Sequence, residues 1–276
     1  MGTTTAPRVL VVVSAADRIP LSNGRTELTG TYLGELIEPT DAMRRAGFEL
    51  AFATPGARVP VIDGTSCSLM YFTGSRKKRD AALSSYRELL ELGLATPAKL
   101  EEIAHDTPRL DEFDALFVPG GHAPLVDLLH RDAFADDALN DDFGALVRYF
   151  HDARRPTGLI CHAPAALAAA PTIEGRWTYA GYRMTCFKTG VGRVSGCGPE
   201  AFDDRVELFG GGRPNQTHRR RAHPGGRRQG RRPVRQRVGD QPGVADLGAH
   251  ERTRRMHGLG QSAQLWHAVA VQHDGV

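Results

Sequence analysis

Short apolar runs separated by stretches of helical spacing constrain this chain more than any other feature. Arg8 to Ser14 is one uninterrupted run, and Phe48 to Thr54 is a second that stops at Pro55-Gly56. Asp114 to Val118 leads into Gly120-Gly121, and Gly158 to Ile160 reaches Cys161. Runs without polar alternation are strands buried on both faces, the condition of a parallel sheet covered by helices on either side. Thr31 to Ala46 has helical spacing through Tyr32, Leu33, Leu36, Ile37 and Met43, with Pro39 marking a kink or break and Gly47 a stop. Ala138 to Ala153 is an amphipathic helix with Leu139, Phe143, Leu146, Val147 and Phe150 on one face. Residues 66–107 read as an inserted, mostly helical segment, with helices expected over 80–92 and 97–105, and Trp177 to Phe187 holds one or two further strands. The expected fold is α/β, a flavodoxin-like parallel sheet sandwiched by helices with right-handed crossovers. Sites in such sheets lie outside the carboxyl ends of the strands, where Ser14, Gly120-Gly121 and Cys161 all fall, so one site can collect all three.

The stretch from Gly158 to Leu167 carries the most chemistry. An apolar run meets the Cys161-His162 pair and passes into Ala163, Pro164 and further small helix formers. This is a strand, a sharp turn and a helix with the cysteine at the apex. A thiol at a helix N-terminus is favoured as thiolate, which is the nucleophile, and the neighbouring imidazole can take or return its proton. A cysteine alone at a strand end is ordinarily a packing residue; the elbow context and His162 favour a reactive thiol.

Composition narrows the setting. The 276 residues suffice for a full core, and the four cysteines Cys67, Cys161, Cys186 and Cys197 form neither a disulfide framework nor a CxxC metal pattern. A reducing, cytoplasmic setting follows. Arg8 to Ser14 is too short to span a membrane and has no basic flank or cleavage site, so no membrane association is expected. His122, His151 and His162 are too scattered to define a metal triad, and Pro119-Gly-Gly-His122 lacks the Lys-Ser/Thr of a phosphate loop, so neither metal nor cofactor is expected.

The net charge of +3 hides an asymmetry. After Gly211 stand thirteen arginines, no lysine and four acidic residues, which leaves the rest of the chain acidic. Residues 212–276 also contain no Ile, Phe or Tyr. We therefore divide the chain into a domain over 1–211 and an Arg/Gly-rich tail over 212–276 that is expected to be of low order. A basic tail ordinarily suggests nucleic acid, but aromatic residues are absent until Trp266, so base stacking has no platform and nucleic acid is not the expected partner. The composition is instead that of GC-rich coding sequence read out of frame.

Several ordered motifs together resemble the ThiJ/PfpI superfamily over roughly Arg8 to Phe187. They are Gly30 to Pro39 with Glu35 inside it, Thr54-Pro55-Gly56, Asp63 to Ser66, Pro119 to Asp127 and Cys161 to Pro164. Within the superfamily they are most similar to the chaperone-like, glutathione-independent glyoxalase branch, related in fold to class I glutamine amidotransferases. The resemblance implies that Cys161 attacks the aldehyde carbon of a small 2-oxoaldehyde such as methylglyoxal. Glu35 then shuttles a proton between the two substrate carbons, and His162 serves as general base. Gly121 and the backbone N–H of His162 would form the oxyanion hole, with Gly120 and His122 lining the pocket. A homodimer is implied as well, with the small aldehyde as partner.

The pattern also departs from the family. The acid expected to orient the histidine falls at Val191 or Gly192, and the family's last strand and helix have no counterpart from Gly212 onward. A histidine without that acid loses control of its tautomer. The alternatives are a cysteine hydrolase acting as peptidase, amidase or deglycase, a holding chaperone or stress sensor built around an oxidisable Cys161, and a degenerate copy. The absence of a later His-x-Glu weakens amide chemistry of the amidotransferase kind.

Overall fold

The computed structural model of the protein describes residues 6–21, 23–182, 184, 186 and 268–271. Its central sheet has six strands: β1 (Arg8–Val12), β2 (Glu49–Thr54), β3 (Ala98–Lys99), β4 (Ala115–Val118), β5 (Thr157–Ile160) and β6 (Ala268–Val271). Across the sheet they run β6-β5-β4-β1-β2-β3. The first five in sequence are mutually parallel, and β6 lies antiparallel to β5 with Ala268 opposite Ile160. The four longer parallel strands follow the flavodoxin-like doubly wound order, and the winding reverses between β1 and β4.

The alternation of side chains along β1 explains why its run is apolar throughout. Val9, Val11 and Val13 face one layer, packing with Leu33, Leu36, Ile37 and Met43 of helix α1 (Leu33–Arg45) and with Leu89 of helix α2 (Arg76–Leu89). Leu10 and Val12 face the other, with Phe143, Leu146, Val147 and Phe150 of helix α3 (Asp141–Asp152). Each face is covered, so each position of the strand is buried.

Four expectations need correction. Helix α1 runs through Pro39 without a break, and the hydroxyl of Thr40 donates to the Leu36 carbonyl at 2.7 Å in the turn that proline weakens. The segment over 66–107 is more than a helical insertion, because β3 inside it extends the main sheet beside Ala53 and Thr54. The expected helix over 97–105 shrinks accordingly to Leu100–Ile103, while α2 starts earlier than expected and continues into a π turn at Leu90–Leu94. After Cys161 the chain forms 3-10 turns over Ala163–Ala169, every residue buried, where a helix was expected.

The strand signal in 177–187 reduces to Arg176–Trp177 paired with Thr172–Ile173. Of the tail over 212–276, only Ala268–Val271 is among the described residues, and there it is a strand. Among the described residues no helix is long and apolar enough to cross a membrane.

Candidate functional site

Cys161 follows β5 directly and adopts a φ of 60°, a left-handed conformation that a non-glycine residue rarely takes. The turn lifts the side chain off the end of the strand, as the elbow pattern requires. Three other elements meet it there. Glu35 comes from the first turn of α1, Gly120 and Gly121 come from the loop after β4, and His162 follows the cysteine in the chain.

The approach is close enough to exclude a side chain at residue 120. A Cβ on Gly120 would stand 2.2 Å from Glu35 Oε2, 2.6 Å from the Ile160 carbonyl and 2.7 Å from Cys161 Cβ. Gly121 has a φ of 103° and its backbone passes within a Cβ's reach of the Gly30 carbonyl. The glycine pair thus lets the acid and the thiol meet.

Glu35 is 3% exposed. The neighbouring Cys161 thiol and Gly121 N–H pull its pKa down, yet burial wins and pushes it up to about 7. Its Oε2 atom is buried with no hydrogen-bond partner among the described residues. The Cys161 thiol is pushed up to about 12, by burial first and by the Glu35 charge second, while the N–H groups of Gly121 and His162 pull it down by less. The helix-terminus effect expected from the sequence is therefore outweighed. The two groups hold one proton between them and resist a second negative charge.

His162 Nδ1 lies 3.2 Å from Cys161 Sγ. Its ring packs against that of His122, centroids 4.5 Å apart, and burial together with His122 lowers its pKa to about 4. The imidazole is neutral across the physiological range. His122 is likewise lowered by burial, against the opposing charges of Asp63 and Glu27.

All six residues singled out in the sequence, Glu35, Gly120, Gly121, His122, Cys161 and His162, therefore converge. Ser14 does not join them. Its hydroxyl donates to buried Asp127, which also accepts from the Ala15 N–H at 2.9 Å, stands 3.5 Å from Arg58, and is pushed up to about 6 by burial. The carboxyl edge of the sheet thus carries two separate polar clusters. Cys186 donates to the Cys161 carbonyl at 3.6 Å, and Cys67 contacts the Asp63 carbonyl at 3.9 Å. Cys197 and the expected acid position at 191–192 lie outside the described residues.

Sequence reasoning missed two aromatic residues at the site, Tyr32 and Tyr71. The signal for Tyr32 was present, since it stands three residues before Glu35 at the N-terminal boundary of α1. Tyr71 sits on a short turn, Leu69–Phe72, and nothing in its spacing announced it. Among the described residues no cluster of His, Cys, Asp and Glu is arranged to hold a metal ion.

Comparison with known proteins matches residues 28–210 to the pattern described as the DJ-1/PfpI family. The match ends where the arginine-rich composition begins. A protein from Staphylococcus aureus (strain MSSA476) named protein/nucleic acid deglycase HchA is 26% identical over 181 residues, covering 65% of this chain and 56% of that protein. A protein of the same name from Escherichia coli O1:K1 is 26% identical over 162 residues, 59% of this chain and 51% of that protein. The chain thus spans about half the length of the curated relatives it matches. Among solved structures it is similar to glyoxalase III from Candida albicans, with a TM-score of 0.46 and 18% identity over 66% of this chain and 69% of that one.

Proposed function

This chain belongs to the DJ-1/PfpI family, and from that membership we propose that it is a cysteine-dependent enzyme converting small 2-oxoaldehydes to 2-hydroxy acids without glutathione. The observation that carries the reading is the buried juxtaposition of Cys161 and the Glu35 carboxyl, both crowded against Gly120 and electrostatically coupled. The name borne by its sequence relatives, deglycase, supports cysteine chemistry on carbonyl-derived substrates.

In this mechanism the Cys161 proton passes to Glu35 as the sulfur attacks the aldehyde carbon, and a C–S bond forms. The aldehyde oxygen takes that proton from Glu35 and becomes a hydroxyl, held by the N–H groups of Gly121 and His162, which leaves Glu35 ionised. Glu35 then takes the hydrogen on that carbon as a proton, the electron pair moves to the neighbouring carbonyl to give an enediolate, the proton returns to the second carbon, and the hydroxyl proton of the first oxygen passes to the second. The product is a thioester of a 2-hydroxy acid. Water cleaves it, regenerating the thiol and releasing the acid; the oxidation of one carbon is balanced by reduction of its neighbour, and no outside electron carrier is needed.

The shifted pKa values divide the labour differently from the sequence reading, which gave the base role to His162. Glu35, near 7, is the stronger base of the two, whereas His162 near 4 is a weak one. We assign the proton transfers to Glu35 and give His162 the task of orienting the sulfur through Nδ1.

The test is lactate formation from methylglyoxal without glutathione, using wild type, Cys161→Ala and Glu35→Gln. Both variants are expected to lose at least about 10³-fold in kcat, since each removes a member of one unit. Turnover that survives Cys161→Ala would falsify the reading, and a folded wild type that makes no lactate would favour the hydrolase, holding-chaperone or degenerate alternatives.

A further inference from the structure

The proposed chemistry involves two adjacent carbonyl oxygens, and the amides of Gly121 and His162 serve only the first. A second donor stands across the site. Tyr32 immediately precedes α1, and its backbone N–H bonds to the Gly120 carbonyl at 3.3 Å. Its ring lies over Gly121, where a Cβ would come within 3.2 Å of Tyr32 Cδ1. The edges of that ring meet Tyr71 at 5.7 Å between centroids and His122 at 6.2 Å, and His122 in turn packs on His162. Four rings therefore form a continuous wall from the elbow to Tyr71, which is 37% exposed.

We propose that Tyr32 determines specificity for 2-oxoaldehydes, its phenol O–H donating to the carbonyl oxygen next to the aldehyde while Tyr71 fixes the Tyr32 ring. The substrate class rests on the glyoxalase reading above. In the resting site Tyr71 favours the protonated form of the Tyr32 phenol, which makes Tyr32 the donor of the pair. A hydroxyl both donates and accepts, so when substrate arrives the Tyr32 O–H turns from Tyr71 to the substrate oxygen and Tyr71 donates to Tyr32 in its place. Burial first, then Tyr71 and the Asp63 charge, keeps the Tyr32 phenol protonated and hence a donor at any working pH. Its donation strengthens as charge moves onto the second oxygen in the enediolate, which is where a donor accelerates the reaction. An aldehyde with a single carbonyl gains nothing from it.

Two readouts on the full chain test this, with Tyr32→Phe chosen because it keeps the ring and loses only the hydroxyl. The first is kcat and KM for methylglyoxal. The second is protection of Cys161 from iodoacetamide by methylglyoxal and by propanal, followed by mass spectrometry. Tyr32→Phe is expected to lower kcat by about 10²-fold with a smaller change in KM. The preference for methylglyoxal over propanal in the protection assay should fall at least about fivefold. The alkylation rate without aldehyde should stay within about twofold of wild type, because iodoacetamide has no second carbonyl to bind. Tyr71→Phe should shift both readouts in the same direction by less. A wild type that makes no lactate but whose protection preference depends on Tyr32 would remove the glyoxalase reading and leave this one standing. An unchanged preference in Tyr32→Phe overturns the proposal, as does a wild type that neither aldehyde protects.

Discussion

Glu35 and His162 respond to burial in opposite senses, and the difference is measurable as stability. Folding raises Glu35 from 4.5 to about 7, so its contribution is fully present below pH 4.5 and is lost as pH rises through 7. The shift corresponds to something on the order of 3 kcal/mol. Folding lowers His162 from 6.5 to about 4, so its contribution is present above pH 6.5 and is lost as pH falls through 4. The two oppose each other between about 4.5 and 6.5, and the Glu35 effect stands alone above that window. Urea denaturation of wild type is expected to show a falling midpoint between pH 6.5 and 8, and Glu35→Gln should flatten that fall and be the more stable form at pH 8. A variant with the wild-type slope would remove Glu35 as its source. The identities of these residues were readable in the motifs. Their protonation was not, because it depends on how much water the other elements exclude from them.

Asn140 shows how one element is anchored to the next. Its side-chain oxygen accepts from the Phe143 N–H at 3.0 Å and caps α3, while its amide donates to the Asp127 carbonyl at 2.7 Å. Helix α3 in turn packs against the Ala163–Ala169 turns that follow Cys161. Asn140→Ala should destabilise the protein by about 1–2 kcal/mol through loss of the cap, with more if the Asp127 carbonyl finds no substitute donor. Thermal or urea unfolding checks this, and a change under about 0.5 kcal/mol would mean that water replaces both bonds. At this scale the long periodic elements were legible: β1, β2, β4, α1 and α3 sit where their apolar spacing placed them. The misreadings fall on short pieces. Two residues of β3 cannot show a period, and the bonding pattern after Cys161 follows from burial of the Ala-rich turn against its neighbours rather than from helix propensity.

Across the whole molecule, β6 covers the free edge of β5, the strand that delivers Cys161 to the site. An uncovered strand edge exposes unpaired N–H and C=O groups to other chains. A chain truncated before Ala268 is therefore expected to self-associate more than the full chain, as light scattering at matched concentration would reveal; equal behaviour of the two would show that β6 does not protect that edge. The sequence by itself determined the parallel α/β architecture, the elbow at Cys161 and the identity of its companions. Both-face burial demands unbroken apolar runs, and a sharp strand-to-turn junction restricts its residues, so these features are written locally. Only the tertiary structure decided that the Tyr32 and Tyr71 rings continue the wall of His122 and His162 beside the thiol, that Ser14 belongs to Asp127, and that burial raises Glu35 while lowering His162. Those outcomes depend on distances between residues far apart in the chain and on the water displaced between them, and no local pattern encodes either.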